Sequence, residues 1–135
     1  MKRYFALLDG ERGGYGVAFP DCPGCTAMGA DENDAYLNAV DALGEWMHDA
    51  RLADAAPEPR SIEALRSDAD VQAAIAEGAI FLSVPLLIED GRAVKANISL
   101  DRGLLDAIDA AARRSGLTRS GFLASAAREK IAAVG

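Results

Sequence analysis

Hydrophobic and polar residues change their spacing repeatedly along this chain, and each change predicts an element. Arg3 to Leu8 is an aromatic and aliphatic run that predicts a strand. The alternation through Tyr15, Val17 and Phe19 predicts its hairpin partner. Between them, Asp9-Gly10-Glu11-Arg12-Gly13-Gly14 carries the glycines of a turn. Pro20-Asp21-Cys22-Pro23-Gly24-Cys25 breaks the second strand, and Thr26 to Gly29 predicts a short third. From Asp31, the expected N-cap, the period becomes helical and runs to about Leu52. Ala35, Ala39, Ala42, Leu43, Trp46, Met47 and Ala50 then share one face, with Asp34, Asn38, Asp41, Glu45 and Asp49 opposite. Pro57 and Pro59 forbid a helix through 54–60, and Ser61 can cap a single turn. Asp68 to Glu77 is weakly helical. Ala79 to Leu87 reads as a buried strand whose Pro85 belongs at a sheet edge.

The last third has a tighter pattern. Val94 to Leu100 alternates apolar and polar, a strand signal. Asp101 caps a helix holding Leu104, Leu105, Ile108, Ala111 and Ala112, and Gly116 ends it. Thr118 caps a second helix with Phe122, Leu123, Ala126, Ala127 and Ile131. A strand and two helices in about 40 residues cannot bury both helices alone, so a second copy is expected.

Charge divides the chain at the same place. The 135 residues carry a net charge of −7. Residues 1–91 hold 6 Lys/Arg and 17 Asp/Glu, hence −11; residues 92–135 hold 8 and 4, hence +4. The basic tail suits a phosphate backbone, and the acidic body suits a basic protein. No apolar run approaches the roughly 20 residues of a membrane span. Asp9 interrupts the N-terminus too early for a signal peptide, which points to the cytoplasm. Two cysteines and one histidine make no disulfide framework, and they give four zinc ligands only if carboxylates or a second chain contribute.

Two sets of residues resemble known modules. Asn97-Ile98-Ser99-Leu100-Asp101, the Leu105-x-x-Ile108-Asp109-x-x-Ala112 helix and Gly116-Leu117-Thr118-Arg119-Ser120-x-Phe122-Leu123 resemble a ribbon-helix-helix DNA-binding module. Gly14-Tyr15-x-Val17-x-Phe19-Pro20-Asp21-x-Pro23-Gly24-Cys25, then Gly29 and Ala35-x-x-Asn38-Ala39-x-x-Ala42-Leu43-x-x-Trp46, resembles the HicB antitoxin domain. The resemblance implies an α+β chain. Residues 1–90 would form a small degraded RNase H-like domain, an antiparallel sheet with one long helix. Residues 93–135 would form the ribbon-helix-helix module. It implies a cytoplasmic, non-enzymatic antitoxin with no cofactor. Such a protein neutralises a HicA-type mRNA-interferase toxin and represses its own operon by binding operator double-stranded DNA as a homodimer. Whether dimers pair into tetramers stays open.

Site candidates follow. An antiparallel ribbon from two copies would point Lys95, Asn97 and Ser99 into the major groove. Thr118, Arg119 and Ser120 would begin a helix suited to a phosphate. On the toxin side the candidates are Asp34, Asp41 and Glu45 along the polar helix face, with Phe19, Pro20, Asp21 and Cys25 in the loop. That acidic face reads equally as an ordinary solvated surface. Cys22-Pro23-Gly24-Cys25 has redox-pair spacing, but no helix begins at it, and a structural turn is the stronger reading. His48 lacks a nucleophile around it and reads as solvated. Asp9, Glu11 and Asp21 would have to converge to hold catalytic metals. Two rivals remain: a metal-dependent RNase H-like nuclease, and a ribbon-helix-helix repressor with a ligand-sensing N-domain.

Overall fold

Every second side chain of β1 (Arg3–Glu11) is buried through Tyr4, Ala6 and Leu8, as a strand with one covered face requires. A computed structural model describes residues 1–133; Val134 and Gly135, the end of the expected second domain, lie outside the described residues. β1 runs three residues past the expected Leu8. Glu11 pairs with Gly14, so the turn to β2 (Gly14–Ala18) is only two residues long. β3 (Thr26–Gly29) pairs antiparallel with β2. β4 (Ile80–Pro85) pairs antiparallel with β1, giving the order β3-β2-β1-β4. β4 is thus an edge strand, with Pro85 opposite Arg3.

Helix α1 (Glu32–Leu52) starts at a double cap. Asp31 Oδ1 accepts from Asp34 N–H at 2.7 Å, and Asp34 Oδ2 accepts from Ala30 N–H at 3.0 Å. The helix packs on β3, β2 and β4 through Ala35, Ala39, Val40, Leu43, Gly44 and Met47. The expected face is rotated slightly. Val40 and Gly44 are buried, and Trp46 is only half-buried. The Leu87 carbonyl oxygen lies so close over Gly44 that a Cβ there would strike it, so the position takes glycine. Two short helices follow. Ser61 caps α2 (Ile62–Arg66), and Asp68 caps α3 (Ala69–Ala76) through the Asp70 and Val71 N–H groups.

The chain divides into two compact units, one over Met1–Asp90 and one beginning at Gly91. In the second, residues 92–100 form no strand and are exposed throughout. Among the described residues no strand pairs with 94–100, so the expected strand does not form in the single chain. Asp101 Oδ2 accepts from Gly103 N–H at 2.9 Å and starts α4 (Arg102–Arg114). Gly116, with φ of 68°, closes it in the left-handed conformation. Thr118 Oγ1 accepts from Gly121 N–H at 3.0 Å and caps α5 (Arg119–Ala133). Between these helices Ile108, Ala112 and Ala132 are buried, whereas Leu105, Phe122, Leu123 and Ile131 are half-exposed.

Candidate functional site

The Phe19–Cys25 loop is folded inward. Cys22 N–H donates to Phe19 O at 3.1 Å, Cys25 N–H to Cys22 O at 3.0 Å, and Phe19 N–H to Cys25 O at 3.3 Å. These bonds turn Phe19, Cys22 and Cys25 into the core, each at most 4% exposed. Burial pushes the Cys22 thiol up to about 12, with Cys25 and Asp21 adding to it, and pushes Cys25 up to about 11. Neither forms a thiolate near neutral pH, so the pair packs rather than reacts.

Asp21 also looks inward. Its Oδ2 accepts from Arg60 N–H at 2.8 Å and its Oδ1 from Arg60 Nε, and its side chain is 6% exposed. Arg60 Nη1 reaches Asp68 Oδ2 at 3.1 Å. Hydrogen bonds from Arg60, and then from the Val71 N–H, hold the Asp68 carboxyl below its usual range. One guanidinium thus ties the loop after β2 to the cap of α3. Trp46 Nε1 donates to Pro23 O at 3.2 Å and fastens the loop to α1. The Tyr4 hydroxyl donates to Pro57 O at 2.6 Å, and burial raises its pKa.

Of the expected toxin-face residues, Phe19 and Cys25 are buried in the core of the free chain, and the Asp21 carboxylate is bonded to Arg60. Pro20 is half-buried, while Pro23 and Gly24 are exposed. Asp34 is exposed, but its carboxylate is engaged at the start of α1. Asp41 and Glu45 are exposed, and among the described residues no hydrogen bond or ion pair engages them. Among the same residues, no group of three or more His, Cys, Asp or Glu could hold a metal ion. Asp9, Glu11 and Asp21 do not converge.

In the second unit Lys95, Asn97 and Ser99 are exposed, as are Val94, Ile98, Leu100, Leu104 and Leu117. Arg119 does not stand free at the start of α5. Its Nε and Nη2 donate to the two Asp109 carboxylate oxygens, both at 2.8 Å. That bond, helped by Arg113, holds the Asp109 carboxyl below its usual range. Thr118 is committed to its cap, and Ser120 is exposed.

Residues 4–127 match the family model described as the HicB_like antitoxin of bacterial toxin-antitoxin systems. The chain belongs to the HicB-like antitoxin family. This antitoxin is similar to the Burkholderia pseudomallei antitoxin HicB in its crystal structure. The two are 28% identical over 96% of this chain and 98% of that one, with a TM-score of 0.51. It is 31% identical to antitoxin HicB3 over 96% of this chain and 97% of that one, with a TM-score of 0.48. A chain of the HicA3 and HicB3 toxin-antitoxin complex matches 62% of this antitoxin and 96% of its own length, at 22% identity and a TM-score of 0.50. Among curated proteins none matches. The antitoxin is α+β with a four-stranded antiparallel sheet. No helix among the described residues is long and apolar enough to cross a membrane. The sequence reading missed Arg60 and Asp109. Asp109 falls in the quoted helix pattern, and the run of charge around Arg113, Arg114 and Arg119 was the available signal for a partner. Arg60 lies 39 residues from Asp21, and no local pattern joins them.

Proposed function

We propose that the chain is the antitoxin of a type II toxin–antitoxin pair. Its first unit binds and neutralises a HicA-type mRNA-interferase toxin. Its second unit dimerises, binds operator double-stranded DNA and represses the operon. The observation that carries this reading is the family match running from residue 4 to residue 127, across both units of a chain with an acidic body and a basic tail. The protein works by binding, without catalysis or cofactor, in the cytoplasm. The RNase H-like character belongs to the same reading. Three antiparallel strands followed by a long helix packed on the sheet support it.

On the toxin side, Asp41 and Glu45 are the carboxylates available to steer a basic partner. Exposed pairs of this kind are each worth about 0–1 kcal/mol, so affinity comes mainly from apolar and backbone contacts. On the DNA side, residues 94–100 would pair with the same segment of a second copy. The exposed Val94, Ile98, Leu100, Leu104 and Leu117 supply apolar surface for that copy. The alternation then points Lys95, Asn97 and Ser99 outward together, where Lys95 can donate to guanine and Asn97 can pair with adenine. Thr118, Arg119 and Ser120 would lie near the phosphates.

The test has two arms. Co-expression with the small basic product of the adjacent reading frame should relieve its growth arrest, and the two proteins should purify together. The full chain should also bind its own promoter DNA. Asn97→Ala should weaken that binding by about 1–3 kcal/mol and relax selectivity at one base. Growth arrest that persists despite abundant folded chain overturns the antitoxin reading. Unchanged promoter binding by Asn97→Ala overturns the ribbon register.

A further inference from the structure

Two of the three residues expected at the phosphate are already engaged in the free chain. Thr118 Oγ1 holds the Gly121 N–H, and Arg119 is forked onto Asp109. The fork is specific in geometry. Two donors of one guanidinium meet both oxygens of one carboxylate, which fixes the plane of the group and cancels its charge locally. Asp109 stands just past the middle of α4, one turn before Arg113, which is exposed and adds positive charge beside it. Arg119 is the first residue of α5. The pair therefore bridges the two helices across the Gly116 turn. Both partners remain partly open to solvent, at 54% for Arg119 and 28% for Asp109, so a competing anion can reach them.

We propose that Asp109 is a latch on Arg119 that withholds one positive charge per protomer from nucleic-acid phosphate. The inference rests on the DNA-binding reading of the second unit and adds its control. Arg119 can offer its forked Nε and Nη2 donors, and an uncompensated charge, to a phosphate only by letting go of Asp109. An exposed ion pair is weak enough to exchange where the ribbon already holds a phosphate in place. On a random sequence, with no base contacts to fix the register, the exchange gains little. The latch thus lowers binding to random DNA more than binding to the operator. It widens the ratio between them, which is the quantity that matters against a genome of competing sites.

The experiment uses the full chain and a random duplex of about 30 base pairs, with fluorescence anisotropy followed over roughly 50–200 mM salt. Asp109→Asn keeps the shape and removes the charge. It should bind the random duplex roughly three- to tenfold more tightly at the low-salt end. Its log–log salt slope should steepen by about 2 per dimer, one phosphate from each freed Arg119. Asp109→Glu, which keeps the charge, should stay near the parent. Asp109→Asn combined with Arg119→Ala should fall back to the level of Arg119→Ala alone. Circular dichroism checks that each variant is folded, and Asp109→Ala provides a second neutral variant. If Asp109→Asn and Asp109→Ala, both folded, bind random DNA no more tightly than the parent, Asp109 is not a latch. If the parent itself binds neither random nor promoter DNA, the DNA-binding reading falls first and takes the latch with it.

Discussion

Replacing Gly29 with alanine probes the tightest crossing in the first unit. Gly29 ends β3, and an added Cβ would lie inside contact distance of the Ala35 backbone N and Cα, and 2.7 Å from the Asp34 carbonyl carbon. All three are backbone atoms in the first turn of α1. That turn is held by the Asp31–Asp34 and Asp34–Ala30 bonds and by Ala35 N–H on Asp31 O at 3.0 Å. No side chain can rotate away, so either the helix lifts or β3 separates from it. Overpacking in a core costs about 1–3 kcal/mol, and a clash among backbone atoms belongs at the top of that range. For a unit of this size, about 3 kcal/mol lowers the melting temperature by about 12–24 °C. Trp46 is the only tryptophan of the chain and is bonded to Pro23 O, so its fluorescence follows the first unit alone. Gly16→Ala is the control, because its Cβ meets nothing within 4 Å, and it should stay within about 0.5 kcal/mol of the parent. A Gly29→Ala protein that melts with the Gly16→Ala control would refute the close-approach argument.

Other outcomes follow from the same geometry. Burial pushes the two thiols up to about 12 and about 11 from the 9.0 of a free cysteine. Their neutral burial therefore stabilises the first unit fully below about pH 9, and this is lost as pH climbs toward 11–12. Urea unfolding followed at Trp46 should show that decline, and a Cys22→Ala, Cys25→Ala variant should show a shallower one, with Tyr4 accounting for the remainder. Asp21→Ala leaves the Arg60 N–H and guanidinium without their main partner. With Arg60 at 40% exposure, water recovers part of the loss, and unfolding should report about 1–2 kcal/mol. Asp41→Lys with Glu45→Lys should slow toxin association and flatten its salt dependence with little change in melting temperature. An unaltered rate at low salt would make that face a plain solvated surface.

Local signals were legible in the sequence, and distant ones were not. Asp31, Ser61, Asp101, Gly116 and Thr118 each act on backbone within a few residues, and each ends or starts a helix where the pattern placed it. The inward direction of the loop side chains is not legible locally, because it depends on Arg60, far along the chain, and on three turn bonds no composition reveals. Asp34 carries the right charge on the right face, yet the helix start claims it first. The alternation at 94–100 is sound as a pattern, but a strand exists only when something pairs with it. The helical wheel missed Gly44 because a glycine has no hydrophobicity to score, and its burial comes from a carbonyl passing overhead.

Pro85 has an effect that reaches beyond the sheet it borders. Leu86 N–H bonds to Lys2 O, so along β4 the hydrogen-bonded positions alternate with residues whose backbone faces away from β1, and Pro85 is one of the latter. At that outward position it presents no N–H. A strand arriving from another molecule would find the ladder interrupted there, which discourages edge-to-edge pairing into fibres. Protection of this kind counts most when copies are crowded together. In the proposed homodimer, the second unit with its exposed apolar residues would be the part that gathers them. The first unit would then be held at high local density and still remain a discrete particle.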